Sequence, residues 1–475
     1  MLHVSTRGDA PALGFADALL AGLARDGGLY VPTEWPTLAP DAIAGLAGVP
    51  YAEAARRVIG PFTGGDVDPQ AFGTMVDEAY AGFRHPAVCP LVQVGDNLFV
   101  LELFHGPTLA FKDVAMQLLG RLMDDVLRVR GRRATIVGAT SGDTGGAAIE
   151  AFRGLERVDV FILYPQGRVS EVQRRQMTTV DAGNVHAVAI EGDFDDCQAL
   201  VKAMFNHHAF RDETGLSGVN SINWARIVAQ VVYYFTAAVS LGAPGRPVAF
   251  SVPTGNFGDV LAGWVAKRMG LPVALLNVAT NANDILARTL ASGRYEATGV
   301  VPTTSPSMDI QVSSNFERAL FEACGREAGA IRAMMASLGQ SRAFTIAEQP
   351  LAALRRDFSA SAVSEDAVAA EMRATWRDAG YLLDPHTAIG LASGRAALAR
   401  DPAVPMVALG TAHPAKFPDA VEAATGVRPA LPAHLADLLD RQERFTILPN
   451  DQAAVEAYVR ARARATGDAF NGAAA

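Results

Sequence analysis

Cysteine is scarce in this chain. Only Cys89, Cys197 and Cys324 occur among 475 residues, and they lie far apart. That spacing forms neither a metal-ligand cluster nor a disulfide framework, so no metal site is expected and a reducing, cytoplasmic setting fits. The opening residues, MLHVSTRGDA, lack the basic, apolar and small-residue succession of a signal peptide. Long apolar runs are missing too. The longest, Ile227 to Leu241, is interrupted by Gln230, Tyr233, Tyr234, Thr236 and Ser240, and reads as a buried helix rather than a membrane span. Basic residues are outnumbered, with a net charge of −9, which argues against nucleic acid or a membrane surface as a partner. No Gly-Lys-Ser/Thr follows any glycine-rich turn and no G-x-G-x-x-G opens a helix, so a nucleotide-binding Rossmann protein is disfavoured.

What remains is an ordinary globular composition, half apolar and 19% charged, in a chain long enough for one large or two to three modest domains. No internal repeat is evident. Residues 1–92 are Ala/Gly/Pro-rich with short helical patterns, Phe15 to Ala24 and Asp41 to Ala47, and read as a mostly helical N-terminal domain. From about Leu91 short apolar runs alternate with segments of helical period, the mark of βαβ units around parallel sheets. Strands are expected at Ala134–Gly138, Val158–Tyr164, Val185–Ile190, Val248–Val252, Val273–Val278 and Met406–Leu409. Helices are expected at Lys112–Met123, Asp195–Phe205, Ala225–Leu241 and Val260–Met269. The α/β region is placed at 93–430, with a smaller subdomain of roughly 113–215 inserted in a larger one. The Ala/Arg-rich stretch 431–475 reads as a helical appendage whose last residues, NGAAA, fray.

Four stretches stand out as chemistry. In HGPTLAFKDVA (105–115) one lysine, Lys112, follows Phe111 after an apolar step. Buried, it is a candidate nucleophile or Schiff-base former; exposed, it merely starts a helix. In VGATSGDTGGAA (137–148) a strand meets hydroxyls (Thr140, Ser141, Thr144), an acid (Asp143) and glycines, with a helix from about Thr144. Its free N–H groups suit a carboxylate or phosphate, although capping by Ser141 or Asp143 explains part of the pattern. In SVPTGNFGDVLAGW (251–264) Gly255 and Gly258 flank Asn256 and Phe257 before a helix at about Asp259, which suits a backbone nest for a phosphate dianion. In ALGTAHPAKFPDAV (408–421) a strand meets Gly410-Thr411, followed by His413 and Lys416. His413 is given no role on pattern grounds. A buried lysine, a phosphate cradle and a hydroxyl loop at strand ends share one economical explanation, pyridoxal 5′-phosphate with an amino-acid substrate.

HGPTLAFKD, GATSGDTGGAA, VNSINWARI, PTGNFGD, SPSMDIQVSSNFER and GTAHPAKFPDAV occur here in that order, with STRG (5–8) and DGGLYVP (26–32) before them. By these motifs the chain resembles the threonine synthase family, in its branch with a long N-terminal domain, over nearly its whole length. The resemblance implies the tryptophan-synthase-β-like fold (fold type II of pyridoxal phosphate enzymes), with two open parallel-sheet α/β subdomains. It implies conversion of O-phospho-L-homoserine and water to L-threonine and phosphate by a monomer or homodimer. It implies that Lys112 is the Schiff-base lysine with Phe111 beside it, and that Gly255, Asn256, Phe257, Gly258 and Asp259 hold the cofactor phosphate. Thr411 is implied to face the pyridine nitrogen, and Asp143 to lie at the cofactor 3′-oxygen. Thr140, Ser141, Thr144, Ser221, Arg226 and Asn256 are implied to hold substrate. An acid beside a phosphate is unfavourable, so Asp259 is expected to turn away and cap its helix. The rivals are a serine/threonine dehydratase or β-replacement synthase of the same fold, and a non-catalytic relative that only binds the cofactor.

Overall fold

Strands rich in Val, Ile, Leu and Ala, buried on both faces, call for helices on either side of a parallel sheet. The computed structural model describes residues 1–465 and holds two such sheets. The larger has six strands in the order Phe358–Ala362, Val273–Thr280, Val248–Pro253, Met406–Gly410, Leu98–Glu102, Leu91–Gly95. All neighbours are parallel except the last pair. The smaller has five parallel strands in the order Thr446–Pro449, Val185–Glu191, Val158–Pro165, Ala134–Ala139, Leu216–Ser217. Every residue of Val158–Pro165 and of Val248–Pro253 is buried, as a central strand requires.

The expected strands all form, each running one or two residues further at its carboxyl end. The edge strands Leu91–Gly95 and Phe358–Ala362 are not apparent in the sequence, because edge strands carry polar residues that blur the apolar run, and the short Leu98–Glu102 beside the first is not among the expected strands either. The C-terminal stretch differs from expectation. Thr446–Pro449 is a strand that pairs in parallel with Val185–Glu191 and extends the smaller sheet. The helix Gln452–Arg460 then buries Val455 and Val459 with Cys197, Leu200 and Met204 in one core cluster. It is therefore no simple helical appendage. The fraying expected of NGAAA lies outside the described residues. Among the described residues no helix is long and apolar enough to cross a membrane.

Two helix contacts fix the positions of the loops at the sheet ends. The helices Lys112–Val129 and Asp143–Phe152 cross where Gly120 meets the backbone of Ala151; a Cβ at Gly120 would lie 2.5 Å from the Ala151 carbonyl oxygen. The buried helix Trp224–Ser240 lies against Gly258–Arg268. There Tyr233 and Tyr234 donate from their hydroxyls to Asp259 Oδ1 at 2.5 and 2.9 Å. Asp259 thus faces a neighbouring helix and does not cap its own, which corrects the expected cap. Burial pushes its carboxyl up to about 6, against the pull of the two hydroxyls.

Gly120→Ala should force the two helices apart, because a backbone carbonyl cannot swing aside. We expect a loss of about 1–3 kcal/mol, read as a melting temperature lower by several degrees; an unchanged melt would show that the crossing has slack. For Asp259 the raised pKa means that the native state holds more protons than the unfolded chain between about pH 4 and 6. Its contribution to stability is lost as pH rises through that window. Asp259→Asn cannot ionise, so its stability relative to the parent should grow with pH, by on the order of 1 kcal/mol between about pH 5 and 8. A pH-independent difference in denaturant melts would contradict this reading of the carboxyl.

Candidate active site

The loops at the carboxyl ends of the two sheets converge on Lys112. The backbone reaches it through a tight path. Leu109 takes a left-handed φ of 62°, Ala110 bridges to Ala412, and Phe111 N–H donates to the Thr411 carbonyl at 2.8 Å. Asp113 fixes the preceding turn, accepting from Thr108 N–H and Thr108 Oγ1 at 2.7 Å each. Gly106 is needed there, since a Cβ would lie 2.4 Å from that of Asp113. The start of the helix is therefore stapled to the loop after Met406–Gly410. Lys112 is only 8% exposed, so the reading of a solvated helix start is excluded. Its Nζ lies 3.4 Å from Asp143 Oδ2 and 4.9 Å from the Phe111 ring centre. Burial lowers its pKa; Asp143 pulls it back up, and Lys416 and Arg226 push it down again.

Asp143 is the first residue of its helix and is reached through Gly142, whose φ is 148°. Its Oδ1 accepts from Gln173 Nε2 at 2.9 Å and pairs with Lys416 Nζ at 3.0 Å. Its Oδ2 meets Lys112 and, at 3.3 Å, Ser307 Oγ. Burial opposes its charge, but Lys416 and then Lys112 outweigh that and hold the carboxyl well below the usual carboxylate range. Thr140 stands differently from expectation. Its Oγ1 accepts from Gly142 and Gly145 N–H at 2.9 Å each, so it braces the loop and retains only its own proton to offer a ligand. Ser141 and Thr144 are half-buried.

The second loop carries the cradle. Phe257, at φ 62°, turns the chain into the helix Gly258–Arg268, whose first N–H groups have no intrahelical partner. A Cβ at Gly255 would lie 3.0 Å from the Ser307 carbonyl oxygen, so the glycine lets that segment close over the loop. The Asn256 carbonyl accepts from Asn315 N–H and Nδ2 at 3.0 and 3.1 Å, and the same Nδ2 reaches the Ser221 carbonyl at 3.1 Å. The segments carrying Asn256 and Ser221 are thereby tied together. Arg226, 3% exposed, donates from Nη1 to the Val219 carbonyl at 3.0 Å, and burial pushes its pKa down to about 10.

Thr411 Oγ1, Arg226 Nε and Asp259 Oδ2 are among the buried polar atoms here that have no hydrogen-bond partner among the described residues. Orphaned groups of this kind call for a ligand or water. A hydroxyl acceptor or donor at Thr411, a free helix N-terminus at 257–259 and a desolvated amine at Lys112 fit pyridoxal phosphate. Lys112, Phe111, Asp143, Thr411 and the backbone of 255–259 can hold it; the carboxylate of Asp259, engaged by the two tyrosines, cannot.

Four residues of the site carry no assignment from the sequence: Gln173, Ser307, Asn315 and Lys416. Three act through contacts distant in the chain, which single-sequence spacing does not reveal. Lys416 does carry a signal, as a lysine in the loop just after a core strand, where ligand-binding residues gather. His413, in the same loop, accepts from Ala415 N–H through Nδ1 and is lowered to about 4 by burial. It is a local brace.

Family models match along the chain as threonine synthase N terminus (residues 2–80), pyridoxal-phosphate dependent enzyme (89–346) and threonine synthase, C-terminal (387–459). Threonine synthase of Pseudomonas aeruginosa is 56% identical, over 97% of this chain and 98% of its own. The crystal structure of pyridoxal-phosphate-bound threonine synthase from Brucella melitensis superposes with a TM-score of 0.95 at 64% identity, covering 98% of this chain and all of that one. The yeast threonine synthase structure gives 0.92 at 37% identity, over 97% of this chain and 98% of its own. With the parallel-sheet architecture and the lysine-centred cleft, these matches establish that the chain belongs to the threonine synthase family of pyridoxal-phosphate-dependent enzymes.

Proposed function

We propose that the site converts O-phospho-L-homoserine and water to L-threonine and phosphate in the cytoplasm, with Lys112 as its acid–base group. One observation carries this reading: a buried amine, next to a backbone stapled to Thr411, lies among separate anion-ready groups. The helix N-terminus at 257–259 is one, and the unpaired Arg226 Nε is the other. A β-replacement synthase or dehydratase needs the first for its cofactor and has no use for the second.

Pyridoxal phosphate, when bound, supplies the electron sink for negative charge at the substrate carbons. The chain supplies position and protons. Lys112 Nζ takes the proton from substrate Cα and then from Cβ, and returns one at Cγ as the phosphate departs. Its lowered pKa suits a base that must be free of its proton near neutral pH. Arg226, with Ser221 and Thr144, receives the leaving phosphate; its planar guanidinium matches two phosphate oxygens. Ser141 and the brace formed by Thr140 hold the substrate carboxylate at the helix start. Asn256 faces the substrate from the cradle side. Thr411 would offer the ring nitrogen a hydroxyl, which can form no ion pair with it. Water then adds at Cβ, with its proton taken by Lys112 Nζ or by the retained phosphate, and Lys112 Nζ returns a proton to Cα, so that both protons taken from the substrate carbons are given back.

Lys112→Ala should reduce threonine formation from phosphohomoserine by at least about a thousandfold and abolish the absorbance of lysine-bound cofactor; a variant near the parent rate would falsify the assignment. Arg226→Ala should lower kcat/KM for phosphohomoserine by roughly ten- to a hundredfold and weaken competition by inorganic phosphate. Unchanged values for both would remove Arg226 from the pocket.

A further inference from the structure

The proposed reaction leaves without a task one buried cation in contact with Asp143. Lys416 is 1% exposed and sits in the short turn Pro414–Lys416 after the core strand Met406–Gly410. Its ammonium donates to the Thr108 carbonyl at 2.7 Å and to Gln176 Oε1 at 2.8 Å, and pairs with Asp143 Oδ1 at 3.0 Å. Gln176 also donates from Nε2 to the Thr108 carbonyl, at 3.1 Å. The ammonium thus has two hydrogen bonds and one ion pair, to partners on the loop before Lys112, the helix Glu171–Thr178 and the helix Asp143–Phe152. A lysine this constrained is a fixed charge rather than a base.

Asp143 therefore stands between two ammonium groups, one on each oxygen. A carboxylate facing Lys112 alone would hold a proton on the amine, because an isolated buried ion pair favours both charged forms. With Lys416 already on the other oxygen, loss of the Lys112 proton leaves a neutral pair behind. We infer that Lys416 is a positioning residue: it compensates Asp143, so that the carboxylate orients the Lys112 amine through Oδ2 without retaining a proton there. The inference rests on the proposed role of Lys112 as base. Other charged groups also face the pair. Arg226, on the helix Trp224–Ser240, acts on Lys112 in the same sense as Lys416. His386, on the helix Pro385–Leu398, faces Asp143 and is tied to Asp384 at 2.9 Å. Asp113 is taken up by Thr108. Of these, Lys416 is the one in direct contact with the carboxylate.

The test reads the Lys112 proton directly. The full chain, freed of cofactor, is labelled with trace acetic anhydride across a pH series, and acetylation at Lys112 is quantified by mass spectrometry. Thermal melts confirm folding. Lys416→Met should raise the midpoint for Lys112 by about one pH unit or more. Lys416→Gln, which keeps a polar group near Thr108 and Gln176, should do the same where methionine is not tolerated. Lys416→Arg, which preserves the charge, should leave the midpoint near that of the parent. A folded Met or Gln variant with an unshifted midpoint would overturn the inference, as would a shift in Lys416→Arg as large as in Lys416→Met. The result is separable from the proposed reaction. The expected shift in a parent chain that makes no threonine would refute the reaction, whereas normal turnover with an unshifted midpoint refutes this role alone.

Discussion

One carboxylate, Asp143, lies between two buried ammonium groups, and much of the rest of the cleft is arranged to make that possible. Isolated charges are not tolerated in a dry interior, so each must be matched by a partner of opposite sign or a full set of hydrogen bonds. Asp143 obtains four partners: Lys112, Lys416, Gln173 and Ser307. They come from four separate stretches of chain, carried by both sheets. Further positive charge stands nearby, because Arg226 acts on Lys112 in the same sense as Lys416 while Asp113 is turned to Thr108. An excess of positive charge in a cleft with a free helix N-terminus is an electrostatic requirement for anions. A cofactor bearing one phosphate and a substrate bearing another meet that requirement together, and water in the cleft meets it poorly.

Much of this was legible in the sequence, and the reasons differ by residue. The core strands were readable because burial on both faces leaves continuous apolar runs, as at Val158–Pro165. The cleft loops were readable because glycine, hydroxyls and acids crowd at strand ends only where backbone must approach a ligand, as at 137–148 and 251–264. Edge strands escaped because nothing in Thr446–Pro449 or Phe358–Ala362 enforces a buried pattern. Side-chain roles were less legible than loop positions. Thr140 and Asp259 lie on these loops, yet their oxygens face the protein: one accepts from Gly142 and Gly145, the other from Tyr233 and Tyr234. Spacing along one chain locates a residue on a loop. It does not specify which way the side chain turns once another helix packs against it, and the two tyrosines that capture Asp259 lie on a different helix, 25 and 26 residues away.

The N-terminal stretch had no assignable task in the sequence, and the structure gives it a physical one. Arg318, buried at 1% exposure, donates to the Tyr30 carbonyl at 2.9 Å, to the Ile222 carbonyl at 2.7 Å and to the Asn315 side-chain oxygen. Asn315 in turn holds the carbonyls of Asn256 and Ser221. Next to Arg318, Glu317 accepts from Thr6 Oγ1 at 2.6 Å and takes a two-point contact from Arg7 at 3.1 and 2.9 Å. The conspicuous STRG and DGGLYVP stretches are therefore the outer anchor of a hydrogen-bonded line that ends at the phosphate cradle. Such a line matters because the cradle is a loop with a left-handed Phe257 and two glycines, and loops of that kind depend on partners for their carbonyls. Burial lowers the Arg318 guanidinium to about 9, which marks how thoroughly it is removed from water. A buried guanidinium is stable only while its acceptors stay in place. The N-terminal backbone at Tyr30 and the cradle-bearing segment at Asn315 are therefore held to one another, and displacement of either leaves a buried charge short of partners.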